Sequence, residues 1–283
     1  MILVDFNGVA IGSIVSQNLE VDEDLIRHTI LNTLRAVNKR FRSKYGGIVI
    51  ACDSRSWRRD YFPNYKYKRR KSKREDSKDW DEITRIANQM LDEIRENFHY
   101  KVIKVEGAEA DDIIGALALE AQEFGRGENV LIISADKDFL QLQKFKNVDQ
   151  YSPHKGEFVR EQNPRTFLFE HILKGDSSDG IPNVLSDDDI FLQEGTRQSP
   201  VTKKKIEAWT AGIDDLQGTM DEEVYRNFKR NKVLIDLEEM PQEIREEIVA
   251  KYDESTPTDK SKIFNYLIKY RCKNLLSDIE DFY

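Results

Sequence analysis

The sequence predicts an α/β fold in which a mainly parallel central sheet is covered by helices. Four short runs, at residues 2–4, 48–52, 101–105 and 130–133, are apolar or alternate like a strand. Between them lie stretches with the 3.6-residue apolar period of an amphipathic helix. Apolar strands that alternate with helices are typical of a parallel sheet with both faces covered. The strand pattern fades after about residue 160, so we also expect a smaller, helical C-terminal region.

The individual elements follow from local patterns along the chain. Residues 22–41 carry a helical apolar period, and two adjacent glycines break the chain before the second strand. A further amphipathic helix is predicted over residues 81–98. The stretch VEGAEADDIIGAL, residues 105–117, supplies a turn that brings four carboxylates next to the start of another apolar helix. Carboxylates so close to a core need partners, because burying unpaired charge is costly.

Length and composition limit the classes of protein to which the chain can belong. Its 283 residues allow one large domain or a main domain with an appendage. Its two cysteines lack the spacing of metal ligands, which favours a reduced compartment without a disulfide framework. The sequence has no signal-peptide pattern and no apolar run near the roughly 20 residues that span a bilayer. We therefore expect a soluble, cytoplasmic protein and, by default, a monomer.

Charge is distributed unevenly, and one stretch is strongly basic. Between Arg55 and Arg74 there are ten Lys or Arg and one Asp, a net charge of +9, although the whole chain carries −8. Five aromatic residues are interleaved with these cations. Aromatic rings stack on unpaired bases, and Lys and Arg neutralise phosphates. This basic stretch therefore predicts contact with nucleic acid. The alternative is a solvated loop, as most charge runs are.

Acidic residues follow the predicted strands at the point where each strand ends. Asp5 and Asp53 follow the first two strands, and Asp136 and Asp138 follow the last. The loop after the third strand adds three more acids, namely Glu109, Asp111 and Asp112. Because the carboxyl ends of parallel strands meet at one edge of a sheet, we expect these side chains to converge in one crevice.

A second acidic pair and the total number of acids indicate a metal site. Asp176 and Asp179, in the stretch KGDSSDGIP, stand three residues apart and would share one face of a helical turn. So many carboxylates cannot all ionise in one crevice without counter-charge. Oxygen ligands without His or Cys suit Mg²⁺, or Mn²⁺ in its place, rather than Zn²⁺. Their number predicts two ions, an arrangement that hydrolyses phosphodiesters.

Each acidic feature also has an ordinary structural explanation. An acid after a strand is usually a helix N-cap, Asp111 and Asp112 would complement a helix dipole, and the pair in KGDSSDGIP would fit a solvated turn. The four histidines lie outside any motif and are expected to pack or to face solvent. The sequence has no Gly-rich phosphate loop, and no Ser or Cys nucleophile with a nearby base. The observation that favours a metal site is the convergence of four acidic strand ends.

Several motifs resemble the flap endonuclease and 5′–3′ exonuclease family, and in particular its ribonuclease H branch from T-even phages. They extend across nearly the whole chain as LVDFNG, CDSRSWRRDYFPNYKYKRR, EGAEADDIIGALA, LIISADKDFLQL, YSP, LKGDSSDGIP and NFKRNKVLIDLEEMP. The resemblance implies a PIN-like 5′ nuclease fold in which residues 55–80 form a basic helical arch. It also implies a nuclease domain over residues 1–182 and a C-terminal helical domain over residues 183–283.

The resemblance assigns roles to the matching residues. The first of two Mg²⁺ ions would be held by Asp5, Asp53, Glu109, Asp111 and Asp136. The second would be held by Asp138, Asp176 and Asp179, with Asp112 as a supporting acid. Lys66 and Arg69 match positions that contact the scissile phosphate and, with Asp136, form the predicted catalytic set. Tyr65 would stack on a base, and further nucleic-acid contacts are expected from Arg58, Arg59 and Arg70.

One segment departs from the family pattern. Family members usually continue after the GDSSD motif with a Gly-rich helix–hairpin–helix turn that holds the duplex backbone. Here the glycine spacing is poor, and three aspartates intrude at residues 187–189. The resemblance therefore implies a degenerate form of this element, in which Lys203 and Lys204 contact phosphate at a helix start.

These observations predict a Mg²⁺-dependent 5′–3′ exonuclease and flap endonuclease of the ribonuclease H type. It would remove RNA primers and 5′ flaps, acting on branched DNA and RNA–DNA hybrids during phage DNA replication. The resemblance adds a single-stranded-DNA-binding protein and a sliding clamp as partners, with the tail SDIEDFY either a docking peptide or a packed terminus. Two alternatives are a PIN-like endoribonuclease that cuts internally and a non-catalytic replication factor that binds branched DNA.

Overall fold

A computed structural model of the chain describes residues 1–16, 22–75, 79–193 and 195–283. Its contacts divide the chain into two units that alternate along the sequence. Unit 1 consists of Met1–Arg55, Lys78–Arg160 and Gln242–Tyr283, and unit 2 consists of Ser56–Ser77 and Glu161–Pro241. Residues 76–78 of the predicted arch lie outside the described residues. The predicted domain boundary between residues 182 and 183 stays a prediction.

Unit 1 is built around a sheet of six described strands. These are β1 (Ile2–Asp5), β2 (Ile48–Ala51), β3 (Lys101–Ile103), β4 (Val130–Ile133), β5 (Val148–Ser152) and β6 (Glu157–Val159). Their order is β3-β2-β1-β4-β5-β6, and only the β5–β6 pair is antiparallel. The predicted mainly parallel sheet is confirmed. Strand β1 pairs in parallel with β2 and with β4, so the carboxyl ends of these three strands lie side by side.

Helices connect the strands of unit 1 and form most of unit 2. In chain order they are α1 (Phe6–Ser16), α2 (Glu23–Tyr45), α3 (Arg58–Tyr61), α4 (Tyr67–Glu75), α5 (Trp80–Asn97), α6 (Ala110–Glu120), α7 (Pro164–Lys174), α8 (Lys203–Ala211), α9 (Leu216–Thr219), α10 (Glu222–Ile235), α11 (Gln242–Glu254), α12 (Lys262–Lys269) and α13 (Lys273–Leu276). Short 3₁₀ helices lie at Glu123–Gly125, Lys137–Lys144, Ile213–Asp215, Leu237–Glu239 and Ile279–Phe282. Within the described ranges, none of the helices has the length and apolar character needed to cross a bilayer.

The two long helices beside the sheet lie near their predicted positions, although α2 continues to Tyr45, beyond the predicted residue 41. Helix α2 begins after Asp22, whose Oδ1 accepts hydrogen bonds from the backbone N–H of Asp24 at 2.8 Å and of Leu25 at 3.1 Å. It ends at Gly46, whose φ of 91° favours glycine. Helix α5 begins after Asp79, whose Oδ1 accepts from Glu82 N at 2.9 Å. A capping carboxylate satisfies N–H groups that have no partner within the helix.

Both faces of the sheet are buried, as the continuous apolar strands predict. On one face, Ile2 and Val4 of β1 pack with Ile50 of β2 and with residues of α2, α5 and α12. Leu3, which points to the opposite face, is also fully buried, and so is its partner Ile132 of β4. Burying one such side chain contributes about 1.5–3 kcal/mol. The sheet is therefore a rigid support for the loops at its carboxyl edge.

The basic stretch is packed into unit 2 through its aromatic residues, and the solvated-loop alternative does not describe it. Phe62 and Tyr65 are buried in one apolar cluster with Phe169 and Phe228. By contrast, Tyr61 is 50% exposed and Tyr67 is 44% exposed.

The C-terminal residues pack against helix α2 within unit 1. Phe282 is fully buried. The side-chain amide of Asn38 donates to the carbonyl oxygens of Asp281 at 2.9 Å and of Tyr283 at 3.1 Å. Arg35 forms an ion pair with the Asp281 carboxylate at 2.8 Å. Of the two interpretations of the SDIEDFY tail, the packed terminus is the one observed.

Candidate active site

Asp5, the last residue of β1, is held from two sides. Its Oδ1 accepts a hydrogen bond from Gly8 N at 2.9 Å, and its Oδ2 accepts from the hydroxyl of Ser134 at 3.0 Å. A Cβ atom at Gly8 would lie 2.4 Å from Asp5 Oδ2, so the glycine of the LVDFNG motif is needed for this contact. Ser134 follows β4, and its hydroxyl therefore ties the ends of two neighbouring strands together.

Asp53 follows β2 and connects two further parts of unit 1. Its Oδ1 accepts a hydrogen bond from the backbone N–H of Ala110, the first residue of α6, at 2.7 Å. Its Oδ2 accepts from the side-chain amide of Asn7 in α1. The end of β2, the start of α6 and the start of α1 thus meet at one carboxylate.

The acids of the EADD motif lie at the N-terminus of helix α6 and differ in their surroundings. Glu109 is the N-cap, and its backbone N–H donates to Asp112 Oδ2 at 2.9 Å. Asp112 is fully buried and is used for this capping contact, and its predicted supporting role at the metal stays a prediction. Glu109 is buried and Asp111 is half-buried in the first helical turn. Glu106, the first of the four carboxylates in this stretch, is exposed.

Asp136 and Asp138 follow β4; Asp136 caps the next 3₁₀ helix, and Asp138 lies in its first turn. The backbone N–H of Asp136 donates to Ser134 Oγ at 3.1 Å, and Asp136 Oδ1 accepts from Asp138 N at 3.0 Å. The Asp136 side chain is exposed, whereas that of Asp138 is half-buried. Ser134 therefore contacts both Asp5 and the backbone of Asp136.

Three of the strand-end acids of unit 1 are near enough for their charges to affect one another. Burial raises the pKa of Asp5 to about 6, and the negative charges of Asp53 and Asp136 act in the same direction. The hydrogen bonds from Gly8 and Ser134 oppose this rise and do not cancel it. A carboxylate that is desolvated and faces like charges is destabilised unless a cation is bound. The convergence of Asp5, Asp53 and Asp136 at one edge of the sheet, predicted from the sequence, is present.

Asp176 and Asp179 lie in unit 2, on a tight turn. The expectation that they share a helical turn was wrong, because α7 ends at Lys174 and the backbones of Asp176 and Ile181 pair as an antiparallel bridge. Gly175, with φ of 65°, and Gly180, with φ of 73°, lie on either side of the acids and make this turn possible. Asp176 is buried, and its carboxylate accepts hydrogen bonds from Ser178.

The predicted phosphate-contacting residues of the basic stretch surround Asp179. Lys66 Nζ lies 3.4 Å from Asp179 Oδ2, and Arg69 lies 3.7 Å from Asp179 Oδ1. The phenolic hydroxyl of Tyr65 donates to Asp179 Oδ2 at 3.2 Å. Tyr65 is only 3% exposed, so its predicted stacking on a base stays a prediction that would require the ring to move.

The remaining predicted nucleic-acid contacts differ in accessibility. Arg58 is buried and its Nε donates to the carbonyl of Leu234 at 2.9 Å, while Arg70 donates to the carbonyl of Tyr65. Both side chains thus support the fold of the basic stretch. Arg59 is half-buried. The two lysines predicted at a helix start are exposed at the beginning of α8, where Thr202 is the N-cap; they are Lys203 and Lys204. Contact of these residues with phosphate stays a prediction.

Sequence reasoning missed the neutral side chains that support the acids. Asn7 and Ser134 lie inside the motifs LVDFNG and SADKDF, two residues from an acid, and this proximity was the available signal. His171, assigned to packing by default, is buried with its Nε2 3.3 Å from Asp176 Oδ2. The Cys52 thiol is buried, which raises its pKa to about 12 and leaves it without a nucleophilic role.

Two segments of the chain match models of known protein families. Residues 16–167 match the model of the 5′–3′ exonuclease N-terminal resolvase-like domain. Residues 164–282 match the model described as T4 RNase H, C terminal. Each model thus covers a different half of the chain, and together they cover nearly all of it.

Individual relatives agree with these family matches. Ribonuclease H of Enterobacteria phage T4 is 30% identical in an alignment of 292 positions, gaps included, that spans 99% of this chain and 95% of the relative. The 5′–3′ exonuclease of Buchnera aphidicola is 31% identical over 59% of each chain.

Solved structures show the same fold. The bacteriophage T5 flap endonuclease, solved with DNA and metal ions, has a TM-score of 0.60 at 15% identity and covers 89% of this chain and 99% of its own. The T5 5′-exonuclease has a TM-score of 0.58 at 15% identity and covers 89% of this chain and 97% of its own. The PIN-like 5′ nuclease fold is thereby confirmed. The chain therefore belongs to the 5′–3′ exonuclease family, the 5′ nucleases, and carries a C-terminal region of the T4 ribonuclease H type.

Proposed function

We propose that this 5′ nuclease uses divalent metal ions, with Mg²⁺ as the physiological ion, at the carboxyl edge of the unit 1 sheet. The observation that supports this best is that Ser134 joins Asp5 to the backbone of Asp136, while Asp53 is held separately by the start of α6 and by Asn7 of α1. The ligand atoms offered there are carboxylate oxygens, which suit Mg²⁺ and Mn²⁺. The raised pKa of Asp5 fits a site that is completed by a cation.

Five residues of unit 1 are proposed to hold the first ion, namely Asp5, Asp53, Glu109, Asp111 and Asp136. Asp112 would fix the start of α6 and thereby the direction of its neighbours. The assignment of Asp138, Asp176 and Asp179 to a second ion stays a prediction from family resemblance. When bound, such ions supply an activated water and stabilise the leaving oxygen.

The chain's own residues would bind and orient the substrate. Lys66 and Arg69 are proposed to neutralise negative charge that develops on the scissile phosphate. Fixed cations aimed at such developing charge lower the barrier of phosphoryl transfer. Tyr61 and Tyr67 of the same basic stretch are exposed, and we propose that they offer ring faces to unpaired bases. Ser134 and Asn7 are proposed as positioning residues, because they orient Asp5 and Asp53 without carrying charge.

The proposed substrates are RNA primers paired with DNA and 5′ flaps on branched DNA. The names of the relatives support both, since one is a ribonuclease H and another a flap endonuclease solved with DNA. A role in phage DNA replication is consistent with the phage relatives. Partnership with a single-stranded-DNA-binding protein and a sliding clamp, and a cytoplasmic location, remain part of the proposal.

A cleavage assay on two matched substrates tests this function. A 5′-labelled flap and a 5′-labelled RNA–DNA hybrid are incubated with the protein in Mg²⁺, Mn²⁺ or EDTA. We expect cleavage from the 5′ end of both substrates with either metal and none in EDTA. Internal cuts in an RNA without a free 5′ end would favour the endoribonuclease, and binding without cleavage would favour the non-catalytic factor.

A further inference from the structure

Asp179 lies at the centre of a set of contacts that join the basic stretch to the turn Gly175–Pro182. Its carboxylate faces Lys66 Nζ at 3.4 Å, Arg69 at 3.7 Å and the Tyr65 hydroxyl at 3.2 Å. Its backbone carbonyl also accepts a hydrogen bond from Lys66 N at 2.6 Å. The side chains of Lys66 and Asp179 are only 13% and 15% exposed, so water screens this ion pair less than it screens a surface pair.

The backbone of Lys66 is held in an unfavourable conformation at this contact. Its φ is 55°, in the left-handed region that residues other than glycine rarely adopt. Such a conformation costs free energy and persists only where the surroundings impose it. Here the imposing contacts are the hydrogen bond from Lys66 N to the Asp179 carbonyl and the close approach of the neighbouring glycine.

Gly180 allows the two segments to approach each other. Its φ is 73°, and a Cβ atom placed on it would lie 2.9 Å from the carbonyl oxygen of Asn64. A side chain at this position would push residues 64–66 away from the turn. The sequence GDSSDG therefore contains both the acid that faces the cations and the glycine that permits the contact.

We propose that Asp179 is a positioning residue, which holds Lys66 and Arg69 in the orientation that meets the scissile phosphate. The inference deepens the proposed function and depends on it, because it concerns the same two cations. With Asp179 and Tyr65 in place, the cations are ordered before substrate arrives. Less conformational freedom is then lost in reaching the transition state.

The inference requires variants that disturb the contact and keep every carboxylate. Tyr65→Phe removes one hydroxyl that contacts Asp179, and Gly180→Ala forces the two segments apart. Tyr225→Phe removes a hydroxyl from α10 in the same unit and is the matched control. For each variant, the single-turnover cleavage rate, the flap affinity in Ca²⁺ and the Mg²⁺ concentration for half-maximal rate are measured. In a fourth experiment, the metal-free variant is digested with trypsin, and cleavage after residues 66 and 69 is quantified by mass spectrometry.

For Tyr65→Phe and Gly180→Ala, we expect the single-turnover rate to fall on the order of tenfold while flap affinity changes less than about twofold. Trypsin cleavage after Lys66 and Arg69 should rise at least about threefold, since the local opening becomes more populated. The Mg²⁺ requirement should not change, and Tyr225→Phe should behave as wild type.

Two results would overturn the inference. One is a wild-type rate and wild-type trypsin pattern in both variants. The other is a raised Mg²⁺ requirement without any change in trypsin cleavage, which would restrict Asp179 to metal binding. Failure of the proposed function itself is recognised separately, because wild-type protein would then show no Mg²⁺-dependent cleavage of the flap.

Discussion

The hydroxyl of Ser134 donates to Asp5 Oδ2 at 3.0 Å and joins the carboxyl ends of two adjacent parallel strands. The same oxygen accepts from the backbone of Asp136 at 3.1 Å. One neutral side chain therefore fixes the relative positions of two proposed metal ligands. Such supporting partners affect metal sites nearly as strongly as the ligands do.

Ser134→Ala is expected to weaken metal binding and catalysis together. Without the hydroxyl, Asp5 loses a hydrogen bond that favours its charged form, and Asp136 loses a backbone contact. We expect activity at limiting Mg²⁺ to fall about 10- to 100-fold, with partial recovery at high Mg²⁺. The measurement is the single-turnover rate as a function of Mg²⁺ concentration. A Mg²⁺ dependence identical to that of wild type would contradict a positioning role for Ser134.

Metal binding should stabilise the folded protein, because the ion offsets the repulsion among the acids. Removing the charge of Asp5 should relieve part of the same repulsion without an ion. A metal ion at a free concentration of about 100 times its Kd adds about 2.7 kcal/mol to the free energy of unfolding. Because burial and neighbouring charges raise the pKa of Asp5, its ionised form is unfavourable without an ion. We therefore expect Asp5→Asn to have a higher Tm than wild type in EDTA and a smaller increase in Tm with Mg²⁺.

Thermal unfolding followed by circular dichroism measures both effects. For wild type, we expect Mg²⁺ to raise Tm by about 5 °C relative to EDTA. Glu96→Gln, which neutralises an exposed acid on α5, serves as the control and should retain the full shift. A Tm of Asp5→Asn in EDTA below that of wild type would show that the Asp5 carboxylate stabilises the metal-free fold.

Lys66→Ala is expected to slow cleavage much more than it weakens binding. The Lys66 ammonium faces Asp179 and is proposed to stabilise charge that develops during the reaction. Removing it should therefore raise the free energy of the transition state more than that of the bound substrate. We expect the single-turnover rate to fall about 100-fold and flap affinity in Ca²⁺ to fall less than about threefold. Lys68→Ala, an exposed neighbour on α4, should change both quantities by the same small factor. Equal losses for Lys66→Ala would make Lys66 a binding contact only.

Glu93 connects three helices of unit 1 through buried hydrogen bonds. It accepts from Arg27 of α2 at 3.1 Å and from the hydroxyl of Tyr266 of α12 at 2.6 Å. Breaking a buried pair removes the buried counter-charge of Arg27 and leaves it only the two acids on α2, the half-buried Glu23 and the exposed Asp24. We therefore expect Glu93→Gln to lower the free energy of unfolding by about 3 kcal/mol at pH 7, measured by urea denaturation.

The same variant has a predicted pH dependence. Burial would raise the pKa of Glu93, but the hydrogen bonds from Arg27, Tyr266 and Gln89 outweigh it, so the pKa lies below its usual 4.5. A carboxylate whose pKa is lowered by folding stabilises the protein fully at a pH above its pKa in the unfolded chain. This stabilisation is lost as the pH falls through its pKa in the folded protein. The difference between wild type and Glu93→Gln should therefore shrink below about pH 4.5. A difference that grows at acid pH would contradict this sign.

The parts of the sheet that could be predicted are those whose sequence is apolar throughout. Strands β1, β2 and β4 were predictable for that reason, and so were the acids that follow them. Strand β5, with the sequence VDQYS, was missed because it is buried although three of its residues are polar, namely Asp149, Gln150 and Ser152. Arg160 contacts Asp149, and Gln150 Nε2 donates to the carbonyl of Asp136 at 2.7 Å. Partners so distant in sequence leave no local signal.

The meeting of Asp5, Asp53 and Asp136 was predictable, because strand order in a parallel sheet fixes where strand ends lie. The fine contacts were not predictable, since they depend on loop conformation. The turn at Asp176 depends on Gly175, Gly180 and the pairing of Asp176 with Ile181. The positive φ of Lys66 arises from a contact between segments more than 100 residues apart in sequence. The division into two interleaved units has the same origin.

The most direct test of the metal-dependent mechanism is the single-turnover cleavage of a 5′-labelled flap by Asp136→Asn at saturating Mg²⁺. This change removes one charge from the carboxyl edge of the sheet and keeps the side-chain oxygen that accepts from Asp138 N. We expect cleavage to fall at least about 1000-fold, while flap affinity in Ca²⁺ stays within about threefold of wild type. Cleavage by Asp136→Asn at the wild-type rate would contradict the assignment of Asp136, and with it the proposed metal site.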